Sequence, residues 1–472
     1  MEQLSGLDAA FVHQESRRTP MHVSAVLIYD IGNKGKHAIS SDAVCELLAS
    51  RLGDVQVFHR ELHQVPMGMD APYWVDVADP DWRAHVTETA LPAATDWQGF
   101  QRHLARLHNA QLDLKRPLWE IELIHGLSDL PGLPANCQAL VLKLHHAAID
   151  GMSMAAIIDS LHDDRAERPG SSRQRLRRPS DWDLWSRANR NFAKRQIKLV
   201  DTLRKLLPGM AKARETQKDF ADLPAICRTA ARFNKRVSRT RTTGAVLLPR
   251  DAVIAIKRAV RRVTLNDIAL ACVGGALRKY LLAHGRMSKE SLACGAPISL
   301  RSAKDKAVGG NKIATMVVGL ATHISDPVER LRLVHRYAVA GKKQINALGT
   351  GTVMDISDSV TPGLLAEGIK AMARVSQYAD VPVPFHTMVS NVPGPQQPKF
   401  LGKAELVVPL GLGPIRDNLG LFHIVSGGQD LLSISFSACA KLLPDASIYE
   451  ECLQQAFDEL YDSAENIAGV NT

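Results

Sequence analysis

His145-His146-Ala147-Ala148-Ile149-Asp150-Gly151 is the stretch on which the reading of this chain turns. Two adjacent histidines close an apolar run, and an aspartate–glycine pair follows three residues later. An imidazole can take a proton from an alcohol or thiol near neutral pH. The glycine gives the backbone room for a sharp turn. Upstream, Leu140, Leu142, Leu144 and His146 alternate with Ala139, Val141, Lys143 and His145. That period predicts a strand from Gln138 to His146. The two histidines then face opposite sides. His146 continues the leucine face, in a partly desolvated place, and His145 takes a supporting role. Downstream, Met154, Ile157, Ile158 and Leu161 recur at helical spacing. The motif is therefore a strand-to-helix turn, where a rigid scaffold can hold catalytic groups. The competing reading is a histidine pair hydrogen-bonded in a core.

The chain has 472 residues, enough for two or three domains. It is 45% hydrophobic and 23% charged, the composition of an ordinary globular protein. Aromatics make up 5%, which does not favour stacking on nucleic-acid bases. A net charge of +9 suits an anionic partner: a phosphorylated ligand, an acidic membrane surface or nucleic acid. The seven cysteines are scattered with no CxxC pair, so neither a disulfide framework nor a zinc site is expected. The opening residues lack a basic segment followed by an apolar core, and no run is long enough to span a bilayer. The expected setting is cytoplasmic, with any membrane contact peripheral.

Outward from the motif, Val23–Tyr29 and Trp119–His125 read as strands, and Ala43–Leu52 and Asp96–Leu112 as helices. The Trp119 strand and the histidine strand predict a hairpin-like pair. Arginines 165, 168, 173, 175, 177 and 178, mixed with Pro, Gly and Ser, mark a linker. Asp181–Leu207 predicts a basic amphipathic helix carrying Trp182, Trp185, Lys194, Arg195 and Lys198. Such a helix can lie on an anionic membrane or pack on its own protein with a solvated basic face. From Phe233 onward a second α/β segment follows. Its helices are Asp251–Val260, Thr264–Ala283, Val328–Leu348 and Ser447–Ile467. Its strands are Ala245–Leu248, Gly295–Leu300, Ile313–Leu320, Thr387–Val392, Ala404–Val408, Leu421–Val425 and Leu431–Ser437. The expected division is 1–164, a basic linker over 165–232, and 233–472, with both main parts α/β.

Together these segments resemble the bacterial wax ester synthase/diacylglycerol acyltransferase family over nearly the whole chain. The HHxxxDG motif at His145–Gly151 carries most of the likeness. Leu4-Ser5-Gly6-Leu7-Asp8, Pro20-Met21-His22-Val23 and Pro117-Leu118-Trp119-Glu120 resemble further family segments. So do Asn266-Asp267, Pro297-Ile298-Ser299-Leu300-Arg301, Gly310-Asn311 and Ser390-Asn391-Val392-Pro393-Gly394-Pro395. The resemblance implies two α/β domains, as in chloramphenicol acetyltransferase and other CoA-dependent acyltransferases, meeting at a tunnel. It implies transfer of a long-chain acyl group from acyl-CoA to diacylglycerol or a fatty alcohol. Acyl-CoA is then a substrate, and no cofactor or metal is called for.

His146 is the expected general base, with His145 supporting it and Gly151 allowing the turn. Asp150 is expected to pair with Arg301 and hold the turn. Asn266 is the candidate polar group from the second domain, and Ser390, Asn391, Pro393 and Gly394 are expected in the tunnel wall. Arg236, Arg239 and Arg241 are candidates for the CoA phosphates. Three rival readings stand beside this one. His145 and Asp150 also satisfy the HxxxxD spacing of glycerophosphate acyltransferases. Gly151-Met152-Ser153-Met154-Ala155 resembles a serine-hydrolase elbow, which would make Ser153 the nucleophile of an esterase. The basic helix alone would suit a non-enzymatic lipid-surface binder.

Overall fold

The computed structural model describes residues 2–52, 55–66, 70–77, 80–92, 95–149, 151–162, 179–285, 287–299, 313–348, 362–375, 382–395 and 397–470. Two six-stranded sheets dominate it, with a small three-stranded sheet beside them. In spatial order the first sheet is Phe400–Leu401, Ala404–Leu412, His22–Asp30, Asn136–His145, Trp119–Ser128 and Val86–Ala90. All its neighbours are antiparallel except the parallel Val86 edge. The expected hairpin between Trp119–Ser128 and the histidine strand is present.

The alternation along the histidine strand sorts side chains to two cores. Leu140, Leu142 and Leu144 pack with Val44 and Leu48 of helix Ser41–Arg51 and with Ile157 and Leu161 of helix Gly151–Leu161. Ala139 and Val141 pack against Phe100 and Leu104 of helix Trp97–Asn109. On that second face Lys143 is only 1% exposed. Its ammonium donates to the carbonyls of Leu107 (3.3 Å) and Ala110 (3.0 Å) and pairs with Glu120 (2.7 Å). A buried cation is thus tied to the negative end of a helix, where it is favoured.

The second sheet runs Ile313–Gly319, Ala293–Ser299, Thr387–Val392, Leu421–Gly427, Leu431–Cys439 and Arg241–Pro249. Its core is covered by helix Leu265–Ala283, which begins in a capping box between Thr264 and Asp267, and by helices Pro327–Leu348 and Ala446–Val470. Strands from the Phe233-onward segment do not all stay in this half. Ala404–Leu412 lies in the first sheet, paired with His22–Asp30. Serines then bridge the sheets: Ser433, Ser435 and Ser437 each donate 2.6 Å bonds to the carbonyls of Pro409, Gly411 and Gly413. The strand's period of two points all three hydroxyls the same way. The buried Glu450 makes a second junction, accepting from Trp97 Nε1 (2.9 Å), Gln98 Nε2 (2.6 Å) and the Ala245 N–H (2.7 Å).

The basic helix extends further than its apolar pattern predicts, from Asp181 to Lys218. It packs on its own protein: Leu184 and Ala188 bury against Val65 and Tyr73, and Arg195 pairs with Asp70 at 2.6 Å. No helix among the described residues is long and apolar enough to cross a membrane.

Candidate active site

The histidine strand ends at His145, one residue earlier than its pattern predicts. Two backbone bonds then fix the turn. The His145 N–H donates to the Leu118 carbonyl at 3.1 Å, and the His146 N–H to the Met21 carbonyl at 2.8 Å. The Pro117-Leu118-Trp119 and Pro20-Met21-His22 segments therefore seat the histidines directly. Trp119 anchors the first of them, fully buried, with its indole N–H on the Phe58 carbonyl at 3.0 Å.

The neighbouring imidazoles part company. His145 is 0% exposed. Its Nε2 donates to Glu15 Oε2 at 3.2 Å, and its Nδ1 accepts from the Ala147 N–H at 3.1 Å. One neutral tautomer satisfies both bonds. His22 Nε2 lies 3.2 Å from the other Glu15 oxygen. Burial raises the Glu15 pKa, but hydrogen bonds from His145 and His22 outweigh this and hold it at about 2. Burial drives His22 below the ordinary imidazole value, against the opposing pull of Glu15. A charged carboxylate thus sits between two rings and locks the turn. His146, in contrast, is half-buried and stacks on Phe11, ring centroids 4.1 Å apart.

His146 lines a cavity of about 490 Å³ between the halves. Phe11, Met21, Val23, Ile149, Met154 and Ile158 contribute from the first; Pro297, Met388, Phe422 and Ile424 from the second. A largely apolar chamber with few polar groups suits a long-chain ligand. Ser390, Pro393 and Gly394 also line it. A Cβ on Gly394 would lie 1.3 Å from the Gly427 carbonyl oxygen, so this position excludes every side chain.

Other expected site residues lie elsewhere. Asn391 is exposed and absent from the lining, because Met388, Ser390 and Val392 take the cavity side of their strand. Asn266 stands in the first turn of helix Leu265–Ala283 and does not line the cavity. Its neighbour Asp267 is occupied by the cap and by His335 Nδ1 at 2.9 Å. Arg241 is buried, its guanidinium donating to the carbonyls of Ser238 and Arg18, which makes it a structural tie between segments. Arg236 and Arg239 are exposed and do not line the cavity. Gly151 opens its helix as expected. Asp150, Arg301, Gly310 and Asn311 lie outside the described residues, as do the linker arginines 165–178. Ser153 does not line the cavity, although Met154 and Ala155 do.

Glu15 is absent from the residues picked out by motif reading, and His22 stands there only within the Pro20–Val23 segment, with no role of its own. One signal for Glu15 exists. It caps the C-terminus of helix Gly6–Gln14, where a carboxylate opposes the helix dipole. A residue set against its local preference points to a tertiary partner.

Known proteins share this architecture. The model of the wax ester synthase/diacylglycerol acyltransferase catalytic domain matches residues 4–269, and that of the family's C-terminal domain matches residues 309–461. A protein named probable diacylglycerol O-acyltransferase, from Mycobacterium tuberculosis (strain H37Rv), is 28% identical over 452 residues, covering 94% of this chain and 95% of that protein. The solved wax ester synthase/diacylglycerol acyltransferase from Marinobacter aquaeolei VT8 has a TM-score of 0.68 at 20% identity, covering 98% of this chain and 100% of that one. The first condensation domain of the CDA synthetase has a TM-score of 0.55 at 15% identity, covering 98% and 96%. The expected two-domain acyltransferase fold is therefore the observed one. With its histidine turn facing an apolar chamber and both family models aligned along its length, this chain belongs to the wax ester synthase/diacylglycerol acyltransferase family.

Proposed function

We propose that this protein transfers a long-chain acyl group from acyl-CoA to diacylglycerol, a fatty alcohol or both. The observation that carries the reading is His146, half-buried against Phe11 and lining an apolar cavity built from both halves. A neutral alcohol is a weak nucleophile. His146 accepts its proton as the oxygen attacks the thioester carbonyl. The tetrahedral intermediate then collapses, the C–S bond breaks, and the imidazolium returns the proton to the departing thiolate. Acyl carbon, proton and electron pair balance without an acyl-enzyme. His145 plays no part in the proton transfer: engaged by Glu15 and the Ala147 N–H, it holds the turn. This separates the reading from the HxxxxD rival, which makes the first histidine the base. The esterase rival needs Ser153 at the reacting centre, and Ser153 does not line the cavity.

The test is thiol release from palmitoyl-CoA by the purified full chain, with diacylglycerol and hexadecanol as separate acceptors and products identified by mass spectrometry. Turnover that disappears in His146→Ala supports the assignment. No thiol release with either acceptor, or full activity in His146→Ala, overturns it.

The acceptors partition into lipid, and we place the enzyme peripherally at a lipid surface on the cytoplasmic side. Trp182 and Trp185 support this reading. They are 72% and 46% exposed and stack with centroids 5.1 Å apart. Exposed Arg187, Arg190 and Lys194 follow them on the helix. Aromatic rings beside cations suit an anionic interface. Sedimentation with phosphatidylglycerol vesicles checks this. Binding weakened in the Trp182→Ser/Trp185→Ser double variant supports it; unchanged binding removes it.

A further inference from the structure

Among the described residues lining the cavity, Arg416 is the only lysine or arginine. It stands in the loop between strands Ala404–Leu412 and Leu421–Gly427. Strand register fixes where that loop lies. Leu412 pairs with Ser24, and His22 pairs with His145. Arg416 and the histidine turn therefore share one end of the first sheet.

The loop is built to hold its shape. The Arg416 N–H donates to the Leu419 carbonyl at 3.0 Å, and its own carbonyl accepts from the Leu419 N–H at 2.9 Å. Flanking Ile415 and Leu419 are buried at 2% and 6% exposure. Upstream, the Gly413 carbonyl accepts from His108 Nε2 at 3.2 Å and from Ser437 Oγ at 2.6 Å. His108 Nδ1 in turn takes the Ser24 hydroxyl at 2.8 Å. The arginine thus projects from a fixed support.

The carboxylates within reach by sequence or by lining are engaged elsewhere. Asp417 binds Arg18 through both oxygens, at 2.9 and 3.0 Å, and accepts the Val237 N–H at 2.9 Å. Asp159, the one acidic residue among the described lining residues, is 60% exposed and lies 3.4 Å from Lys399. Among the described residues, no carboxylate pairs with Arg416 and no side chain or carbonyl accepts from its guanidinium. Arg416 is half-buried, and that burial lowers its proton affinity. Arginine nevertheless stays charged in proteins, and a desolvated cation is costly until an anion meets it.

We infer that Arg416 receives an anionic oxygen group, phosphate or carboxylate, carried into the cavity by one of the substrates. The inference rests on the acyl-transfer reading and names a contact within that same site. A guanidinium fork matches such groups with two parallel bonds. The anion has two possible sources, the phosphates of the CoA thioester and an acidic group on the acceptor. Arg236 and Arg239 are exposed and do not line the cavity, so they do not supply a cation inside it.

The test compares the full wild-type chain with Arg416→Gln and Arg416→Lys. One arm measures the preference for palmitoyl-CoA over S-palmitoyl-N-acetylcysteamine, which lacks phosphate, with hexadecanol as acceptor. The other measures the preference for a hydroxy fatty acid over hexadecanol, with the phosphate-free thioester as donor. Losing one charge-assisted contact is worth about tenfold or more in the preference concerned. A loss confined to the first arm assigns the anion to CoA; one confined to the second assigns it to the acceptor. Arg416→Lys, which keeps the charge but not the fork, recovers part of the loss. If neither preference falls in Arg416→Gln or Arg416→Lys, the inference is overturned. Should the wild type release no thiol from any thioester, the acyl-transfer reading fails by itself. Calorimetric titration with CoA and with the hydroxy fatty acid then decides for Arg416: weaker binding of either in Arg416→Gln keeps the site, and equal binding of both removes it.

Discussion

The two six-stranded sheets solve the same packing problem with different chemistry. In the first, charge is buried beside the histidine turn: Glu15 between His22 and His145, and Lys143 on helix carbonyls. In the second, the buried polar groups among the strands are mainly neutral. Ser433, Ser435 and Ser437 bridge to the first sheet, and His423 lies between Thr387 (3.1 Å) and Tyr449 (2.8 Å). Hydroxyls make most of the bridge between the sheets, and the buried Glu450 adds one carboxylate to it. The short turn beside the cavity is held by stronger, directional, charge-assisted bonds. On the proposed reading, the first half supplies the reacting imidazole and the second supplies a wall of the cavity.

Breaking the catalytic side of this contrast has the largest effect. His146→Ala should lower kcat by about 100- to 10,000-fold with little change in melting temperature, because removal of a general base costs that much. His145→Ala should instead lose stability and activity together, since Glu15 and the Ala147 N–H both lose a partner. Steady-state rates beside thermal melts separate the two, and equal losses of stability would sink the division of labour.

Gly394→Ala tests the wall. Its Cβ has no space beside the Gly427 carbonyl, so the strand ends around it must move. Activity should fall steeply, with KM for the acyl donor rising more than kcat falls. Normal kinetics would show that the wall accommodates the change.

Glu15→Gln removes the charge without the shape. Breaking a buried pair costs roughly 3 kcal/mol, and urea unfolding at neutral pH reads it. The sign of the pH dependence follows. The Glu15 pKa is depressed from 4.5 to about 2, so its stabilisation is complete above 4.5 and is lost as pH falls toward 2. Burial also depresses His108 to about 3 and His423 to about 4, from an ordinary 6.5. Stability should therefore begin to fall below pH 6.5, above the range in which Glu15 contributes. Glu15→Gln should flatten the part of the curve below 4.5 and, by removing the upward pull on His22, steepen the part just below 6.5.

The smallest effect belongs to the neutral bridge. Ser435→Ala removes the hydroxyl that donates to the Gly411 carbonyl at 2.6 Å and accepts the Gly411 N–H at 3.0 Å, and should cost about 1 kcal/mol. Thermal melts check this, and kcat should change far less than in His146→Ala. A Ser435→Ala defect as large as that of Glu15→Gln would erase the distinction between the sheets.

Much of the fold was legible along the chain because period and capping are local. The leucine alternation before His145 located a strand that crosses the middle of the first sheet, and the expected helix Thr264–Ala283 is found as Leu265–Ala283. Composition did not mark Arg60–His63 and Tyr73–Asp76, whose four residues each are too short for a period to declare itself. The site was legible in part. His146, Ser390, Pro393 and Gly394 share a cavity wall, while Asn266 and Asn391 do not reach it. A motif reports which residues matter together but not which way each side chain points.

The chain by itself determined the strand-to-helix turn, because spacing of two or of three to four residues is written in one dimension, and its ordered motifs carried the resemblance to the family. Only the tertiary structure decided which imidazole is locked by Glu15 and which faces the chamber. It also decided that Ala404–Leu412 completes the other half's sheet and brings Arg416 to the histidine end. Those outcomes depend on contacts between residues more than a hundred positions apart, and sequence distance carries no record of them.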